Sequence, residues 1–429
     1  MANHHSKPAT LAERPGPKII FTLLIITCIA VLATSAQFYI EAMVDAFFAF
    51  ALASVLIVHL RVRPKWQDAL LVLAVSLLFA GIDFQLLHYA PKLMAWLSFV
   101  GLSSFLVMAV RTVWAKETGA SKTLLCAWVP AALFVISDYF ASTMLEWTSA
   151  AHPKTLDLYL LSFDYSLRVP IVFIAGRIYQ LHPWIHNASL LVYVGLAIPI
   201  SLVYAGLLVG FKRKAFPAML AFLITGPLGI LFYNLFPACG PHALFQQGFP
   251  FHPFPMDAAP RLHLEAMVVA GPRNAIPSLH MAWVLLAWWY SRGLTWYERL
   301  IALIFVVFTI FATLGTGEHW FVDLIVAFPF ALLIQAIAAY PLPWKDARRA
   351  AAFLYGLLCT LAWLTTLRYE PKFFWTSPFL PWVLATATVL VTIIRQANLD
   401  RAIDPTNCAK SLPERSVRLQ ASKVSLPAD

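Results

Sequence analysis

Long apolar segments recur along almost the whole chain, and they limit its possible folds more than any other feature. A helix needs roughly 17–25 mostly apolar residues to cross a bilayer. We therefore predict an all-α fold, a polytopic membrane bundle of about twelve transmembrane helices. The predicted spans are 19–40, 42–60, 68–90, 93–111, 122–146, 188–210, 216–236, 277–291, 298–315, 320–340, 350–368 and 378–394.

The composition excludes several other classes of protein. Only 12% of the residues are charged, about half the share in a typical soluble domain. This deficit excludes a soluble enzyme, a nucleic-acid binder and a disordered scaffold. The five cysteines lack the paired spacing of a metal site, and a disulfide framework is not expected.

The basic residues indicate the orientation of the bundle. Lys and Arg are concentrated in cytoplasmic loops of membrane proteins. If the N-terminus is cytoplasmic, 23 of the 31 Lys and Arg lie inside and 8 outside. We therefore predict that both termini are cytoplasmic, with the long loops on the periplasmic, extracellular or lumenal face.

The chain divides into four predicted regions. Residues 1–121 hold N-terminal spans without a recognisable role, and 122–340 form a central region with long outer loops at 147–187 and 237–276. Residues 341–395 supply two further spans, and 396–429 form a polar, disordered cytoplasmic tail. The apolar stretch 156–181 within the first outer loop is expected to form interfacial helices, or else a pair of short re-entrant segments.

Two polar segments at the outer ends of predicted spans are the candidates for chemistry. In GTGEHWFVD, residues 315–323, His319 and Asp323 are four apart and share one face of a helix. The carboxylate can hold one imidazole nitrogen, leaving the other to attack phosphorus or act as a base. Gly317 allows backbone amides to approach an anion. Alternatively, the His–Asp pair only anchors a helix end.

The other segment is GPRNAIPSLH, residues 271–280. A helix that starts near Pro277 directs its first amides outward, which favours an anion. Ser278 adds a hydroxyl, Arg273 adds a guanidinium fork for phosphate oxygens, and His280 lies about one turn inside. Alternatively, these are an interfacial arginine and a core histidine. Both segments lie on one predicted face, which favours a shared site.

These motifs resemble those of the phosphatidic-acid phosphatase type 2 superfamily. Its second motif, Pro-Ser-Gly-His, reads Pro277-Ser278-Leu279-His280 here, and its third retains His319 and Asp323 at the family spacing. The Ser-Arg pair of the third motif is replaced by Ala312 and Thr313. The leucine at the glycine position, Leu279, and the missing Ser-Arg pair are both more similar to the inositol phosphorylceramide synthase (inositolphosphotransferase) branch. Sphingomyelin synthases also lack the Ser-Arg pair. The segment FPACGPH corresponds to the first motif, with His242 at a usual arginine position.

The resemblance covers about residues 188–340 and implies a six-helix lipid-phosphatase-like core built from the fifth to tenth spans. It implies an enzyme of lipid metabolism in which His319 forms a phosphohistidine, Asp323 orients it and His280 exchanges protons with the alcohols. Arg273, Ser278, His242 and Gly317 would bind phosphate. The expected partners are a phospholipid donor, a lipid-alcohol acceptor and the bilayer; no nucleic acid, metal or cofactor is expected.

Four functional hypotheses remain open from the sequence. The leading one is transfer of a phosphorylated headgroup to a lipid alcohol, as in sphingolipid synthesis. The second is hydrolysis of a lipid or polyprenyl phosphate by the same fold. A multi-span transporter is less favoured, since the two halves show no internal repeat. A degenerate, non-catalytic member would not need the intact His–His–Asp set.

Overall fold

A computed structural model describes residues 46–403, except 63, 88–91, 115–117 and 258. The described part is all-helical apart from loops and one two-residue antiparallel pairing, β1 with β2, in which Lys154 opposes Val268. The all-α prediction is therefore confirmed. The first predicted span and residues 404–429 of the predicted tail lie outside the described residues.

Four helices of the described residues precede β1 (Lys154–Thr155). They are α1 Ala46–Arg61, α2 Trp66–Leu87, α3 Leu93–Trp114 and α4 Thr118–Ala151. Of these, α2 lies at the edge of the helix bundle, and its Leu73 and Leu78 side chains are exposed. Such an apolar surface suits contact with lipid. Buried polar contacts join these helices to the rest, since Arg61 of α1 pairs with the fully buried Glu298 at 3.0 Å.

The central part of the chain contains seven described helices, most of them short. They are α5 Asp157–Ser166, α6 Ile171–Leu181, α7 Pro183–Val194, α8 Ala197–Gly210, α9 Lys212–Leu235, α10 Pro241–Phe245 and α11 Leu279–Tyr290. The β2 strand, Met267–Val268, lies between α10 and α11. The predicted outer loop 147–187 is thus mostly helical. Most of α5 is buried in the bundle, which argues against an interfacial position for that helix.

The last four helices of the described part are α12 Trp296–Thr316, α13 Phe321–Ala338, α14 Ala347–Tyr369 and α15 Leu380–Ile403. The prediction that the tail starts at 396 is wrong, because α15 continues to Ile403. Helix α13 is apolar on every side and is packed by α5, α9, α11, α14 and α15. A helix of this kind belongs at the centre of a bundle.

The number of membrane-spanning helices differs from the prediction. Seven described helices are long and apolar enough to cross a bilayer, or up to nine if each of two bent pairs counts as one span. Helices α5 and α6 form one such pair, bent by 93°, and α7 and α8 form the other, bent by 55°. The count of about twelve is not confirmed: the first predicted span lies outside the described residues, and α1 has only 16 residues. Residues 277–291, predicted as a span, contain the 12-residue helix α11.

Candidate active site

His319 lies in the tight turn between α12 and α13. Gly317 ends α12 in the left-handed conformation at φ +76°, and Trp320 is the N-cap of α13. The imidazole is buried, and its Nδ1 is 2.7 Å from the carbonyl oxygen of Ala275. A carbonyl can only accept a hydrogen bond, so Nδ1 carries a proton. In the neutral form of the ring, Nε2 therefore holds the lone pair and is the nucleophilic nitrogen.

Asp323 contacts the backbone of this turn in addition to making the predicted contact with His319. Its Oδ2 lies 3.5 Å from His319 Nδ1 and accepts the backbone N–H of Trp320 at 2.7 Å. The side chain therefore closes the first turn of α13 as well as facing the imidazole. The orientation of His319 is shared between Asp323 and the nearer carbonyl of Ala275, which sequence reasoning did not identify.

His280 is brought to the same end of the bundle, at the second residue of α11. The backbone N–H of Ser278 donates to the Asp323 carbonyl at 3.2 Å, so the start of α11 lies against the start of α13. The His280 ring stacks on Tyr193 of α7, with centroids 4.0 Å apart and planes at 15°. It is close enough to His319 for an electrostatic interaction between the rings. Tyr193 was missed in the sequence because nothing marks a single tyrosine in an apolar helix as a stacking partner.

Arg273 has contacts that do not match its predicted role. The guanidinium is buried and donates to the carbonyls of His152 at 2.9 Å, Pro153 at 3.0 Å and Gly271. Three divergent carbonyls use most of its five N–H donors. In this arrangement Arg273 joins the end of α4 to the loop before α11. The contacts favour a structural role over the predicted phosphate fork.

The other predicted phosphate ligands also have structural contacts. Ser278 is the N-cap of α11, and its Oγ accepts the N–H of Met281 at 3.4 Å. The Gly317 N–H donates to Leu314, so it is not free for an anion, and its carbonyl accepts the N–H of His242 at 2.8 Å. The His242 side chain is exposed beside this turn. Phosphate binding by these three residues stays a prediction.

Two buried carboxylates of α5 hold the His319 turn from the opposite side. Asp157 accepts the N–H of Gly240 at 2.8 Å, the N–H of Cys239 at 3.1 Å and the indole N–H of Trp320 at 3.0 Å. Asp164 accepts the N–H of Phe321 at 2.9 Å and that of Val322 at 3.3 Å. The two residues are seven apart in the sequence, which places them on one face of a helix. This spacing is the sequence feature from which they could have been predicted.

Burial also decides the protonation of His319. Removal from water lowers the pKa of His319 to about 4, although the charge of Glu318 and the Ala275 carbonyl both raise it. The imidazole is therefore neutral at pH 7, as a nucleophile must be. Glu318 is only partly buried, so the site has a carboxylate beside the histidine. Among the described residues no group of three His, Cys, Asp or Glu side chains is placed to hold a metal ion.

One comparison with known proteins gives a match, at the level of a superfamily. Residues 158–337 match the family model described as the PAP2 superfamily. The match starts before the predicted limit of 188, so it includes nearly all of α5 and excludes α4. Comparison with curated proteins and with solved structures gives no match. The region that contains His280, His319 and Asp323 thus matches the PAP2 superfamily, whose members are generally phosphatases or phosphotransferases.

Proposed function

We propose that this protein is an integral membrane phosphotransferase that moves a phosphorylated headgroup from a phospholipid to a lipid alcohol. The observation that carries the proposal is the state of His319: it is buried, neutral, and held through Nδ1 by the Ala275 carbonyl at 2.7 Å. A fixed neutral imidazole with a free Nε2 suits nucleophilic attack on phosphorus.

The reaction proceeds in two displacements. Nε2 of His319 attacks phosphorus, the bond from phosphorus to the diacylglycerol oxygen breaks, and His280 in its protonated form donates a proton to that oxygen. Burial lowers the pKa of His280 to about 3 in the free site, so the protonated form requires the bound phosphate anion beside it. Neutral His280 then removes the proton of the acceptor hydroxyl, whose oxygen attacks phosphorus and releases His319. Each half-reaction transfers one headgroup phosphate and one proton, so no other reactant is needed.

Apolar cover over the turn supports transfer rather than hydrolysis. The ring of Phe245, the last residue of α10, lies 6.5 Å from the Trp320 ring and 5.0 Å from that of Phe173. The Phe249 ring lies 5.4 Å from that of Phe173, tilted by 54°, and is close to Gly317. Phe251, in the same segment, is exposed. Water must be kept from the phosphohistidine if an alcohol is to accept the phosphoryl group.

The two departures from the family motifs support the inositol phosphorylceramide synthase-like branch. Ala312 and Thr313 are buried, and the Thr313 carbonyl accepts the N–H of His319 at 3.2 Å. That position therefore stabilises the turn without a charged side chain. The Leu279 side chain packs against Gly229 of α9. Because Gly229 has no Cβ, the leucine fits at this position.

The test is turnover in purified protein reconstituted in nanodiscs. The donor is phosphatidylinositol labelled with ³²P, and the acceptor is ceramide or diacylglycerol. We expect label on the acceptor lipid and little water-soluble label while acceptor is present. Label released only as soluble phosphate or headgroup phosphate, whatever the acceptor, would favour the phosphatase of the same fold. Absence of any turnover with a panel of phospholipid headgroups would overturn the enzymatic proposal.

A further inference from the structure

The two histidines of the candidate active site differ in what holds their rings. His319 is fixed by the hydrogen bond from its Nδ1 to the Ala275 carbonyl at 2.7 Å. Among the described residues, neither imidazole nitrogen of His280 has a hydrogen-bond partner. The torsion that turns a histidine ring has no sharp preference of its own. Another contact must therefore orient His280 while both of its nitrogens stay available.

The contact that can do this is the stack of His280 on Tyr193 of α7. The ring centroids are 4.0 Å apart and the planes are inclined by only 15°. Rotation of the imidazole out of this plane would break the stack, so the contact restrains the ring without using either nitrogen. The electron-rich face of the tyrosine also favours an imidazolium ion, which is the form of His280 that donates a proton.

Two further aromatic rings hold this stack in place. The Phe47 ring of α1 lies 5.6 Å from that of Tyr193, edge to face at 70°, and 6.3 Å from that of His280. The Trp283 ring, one turn further along α11, lies 6.4 Å from His280 at 85°. Its indole N–H donates to the carbonyl of Phe222 on α9 at 3.0 Å. Rings from α1, α7 and α11 thus surround the imidazole.

Helix α1 belongs to the N-terminal part of the chain, outside the residues 158–337 that match the PAP2 superfamily. It packs against α3, α4 and α8 and reaches α7 as well. Phe47 is its second residue, and the contacts of this side chain with Tyr193 and His280 bring α1 to the candidate active site. A helix without a recognisable role in the sequence therefore contributes to the surroundings of His280.

We propose that Tyr193, supported by Phe47, is the positioning residue that orients His280 for proton exchange with the two lipid alcohols. This role rests on the enzymatic function proposed above. The His280 imidazolium gives its proton to the diacylglycerol oxygen as the bond to phosphorus breaks, and the neutral ring later takes the proton of the acceptor hydroxyl. Tyr193 exchanges no proton. Its ring carries the role and its hydroxyl is not required.

The first test compares two donors in single turnovers of the full-length protein in nanodiscs. Phosphatidylinositol needs a proton on its leaving alcohol, whereas 4-nitrophenyl inositol phosphate releases nitrophenolate without one. Since general acid catalysis contributes about 10²–10⁴-fold, Tyr193→Leu should slow the first displacement roughly 10–100-fold with the phospholipid and about twofold or less with the nitrophenyl donor. Tyr193→Phe should retain wild-type rates with both. Equal losses with the two donors, or a defective Tyr193→Phe, would overturn the proposal.

Two pairs of variants show whether the ratio of the two rates is specific to this stack. Tyr179→Leu removes a ring that lies 4.4 Å from that of His186, a histidine without a part in the proposed reaction, and the ratio should stay as in the wild type. Phe47→Ala should change the ratio in the same direction as Tyr193→Leu, but less. Phe84→Ala, at an exposed phenylalanine of α2, should not change it. A ratio that responds equally to all of these variants would overturn the proposal.

The second test needs no turnover and so separates this role from the proposed function. The protein is labelled with ¹³C at histidine Cε1, and the His280 resonance is assigned by its absence in His280→Gln. A proton over an aromatic face is shifted upfield, so Tyr193→Leu should move the His280 resonance downfield and broaden it, while Tyr193→Phe should leave it in place. An unmoved resonance in Tyr193→Leu would overturn the positioning role. The expected shifts without any phospholipid turnover would instead refute the proposed function alone.

Discussion

The polar side chains near the two ends of α13 differ in whether they have hydrogen-bond partners. At the His319 end, Asp157 and Asp164 accept five N–H groups between them. At the other end, the amides of Gln335 and Gln396 have no partner among the described residues. The difference follows from the backbone. Helix starts and tight turns expose unpaired N–H groups to nearby carboxylates, whereas the backbone inside a helix is already bonded. The candidate active site therefore lies where the chain turns.

The strongest test of this contrast is removal of the proposed nucleophile. His319→Ala should reduce turnover by roughly 10⁴-fold or more, because the proposed covalent intermediate forms on its Nε2. The measurement is kcat with labelled phospholipid. His263→Ala is the matched control, since His263 is exposed in the outer loop, and it should retain wild-type rates. Retention of turnover by His319→Ala would refute the assignment.

The carboxylate clamp, Asp157 with Asp164, should come next in effect. Asp157→Asn replaces one acceptor oxygen with a donor that faces backbone N–H groups, so we expect a loss of about 1–3 kcal/mol in stability. The turn that carries His319 should loosen, and kcat should fall about tenfold with KM little changed. Thermal unfolding and steady-state kinetics measure both. Asp257→Asn, at an exposed carboxylate, should change neither; equal effects of the two variants would argue against the clamp.

Two glycines permit a sharper comparison of the turn with an open helix face. Gly317 has φ +76°, and an added Cβ would lie 2.8 Å from the Phe249 ring and 2.9 Å from the His242 nitrogen. Gly317→Ala should therefore cost about 1–2 kcal/mol through backbone strain alone and reduce turnover. Gly81→Ala on α2 meets nothing within 4 Å and should be neutral or stabilise the helix. Similar melting temperatures for both variants would contradict the packing of the turn.

The pH dependence of turnover tests the electrostatics of the site. Because burial lowers the pKa of His319 to about 4, the reactive neutral form persists from pH 7 down to about 5 and is lost as the pH approaches 4. The stability contribution has the same sign: below pH 6.5 the unfolded chain binds a proton that the folded chain does not, so stability falls between pH 6.5 and 4. Glu318→Gln should move the acidic limb of kcat to lower pH. A limb near pH 6.5 would contradict a buried neutral imidazole.

The smallest expected effect concerns the cap of α11. Ser278→Ala should cost about 1 kcal/mol, the usual value of an N-cap, while kcat changes less than about twofold. Ser278→Thr should restore stability because its hydroxyl can accept the same N–H. A large fall in kcat at unchanged melting temperature would instead support the predicted phosphate contact.

Local spacing was sufficient for part of the site. The four-residue interval of His319 and Asp323 predicted that the two side chains meet on one helix face. They do lie 3.5 Å apart, but His319 lies in the turn before α13 and not on the helix. The prediction that 271–280 and 315–323 meet is confirmed through Ala275 and Ser278. This contact could be predicted because both polar segments lie at predicted helix ends, and helix ends on the same side of a membrane bundle lie near one another. The side of the membrane that this surface faces stays a prediction.

The sequence by itself determined the all-helical membrane class and the two polar motifs, since apolar length and helical period are local properties. Only the tertiary structure decided what each polar atom contacts. It bound Arg273 to three carbonyls, placed the Ala275 carbonyl nearer to His319 than Asp323 is, and brought Asp157 and Asp164 to the turn. It also bent two apolar runs into helix pairs. These outcomes depend on backbone groups contributed by segments distant in the chain, and a linear pattern of side chains does not encode which carbonyl or amide will face them.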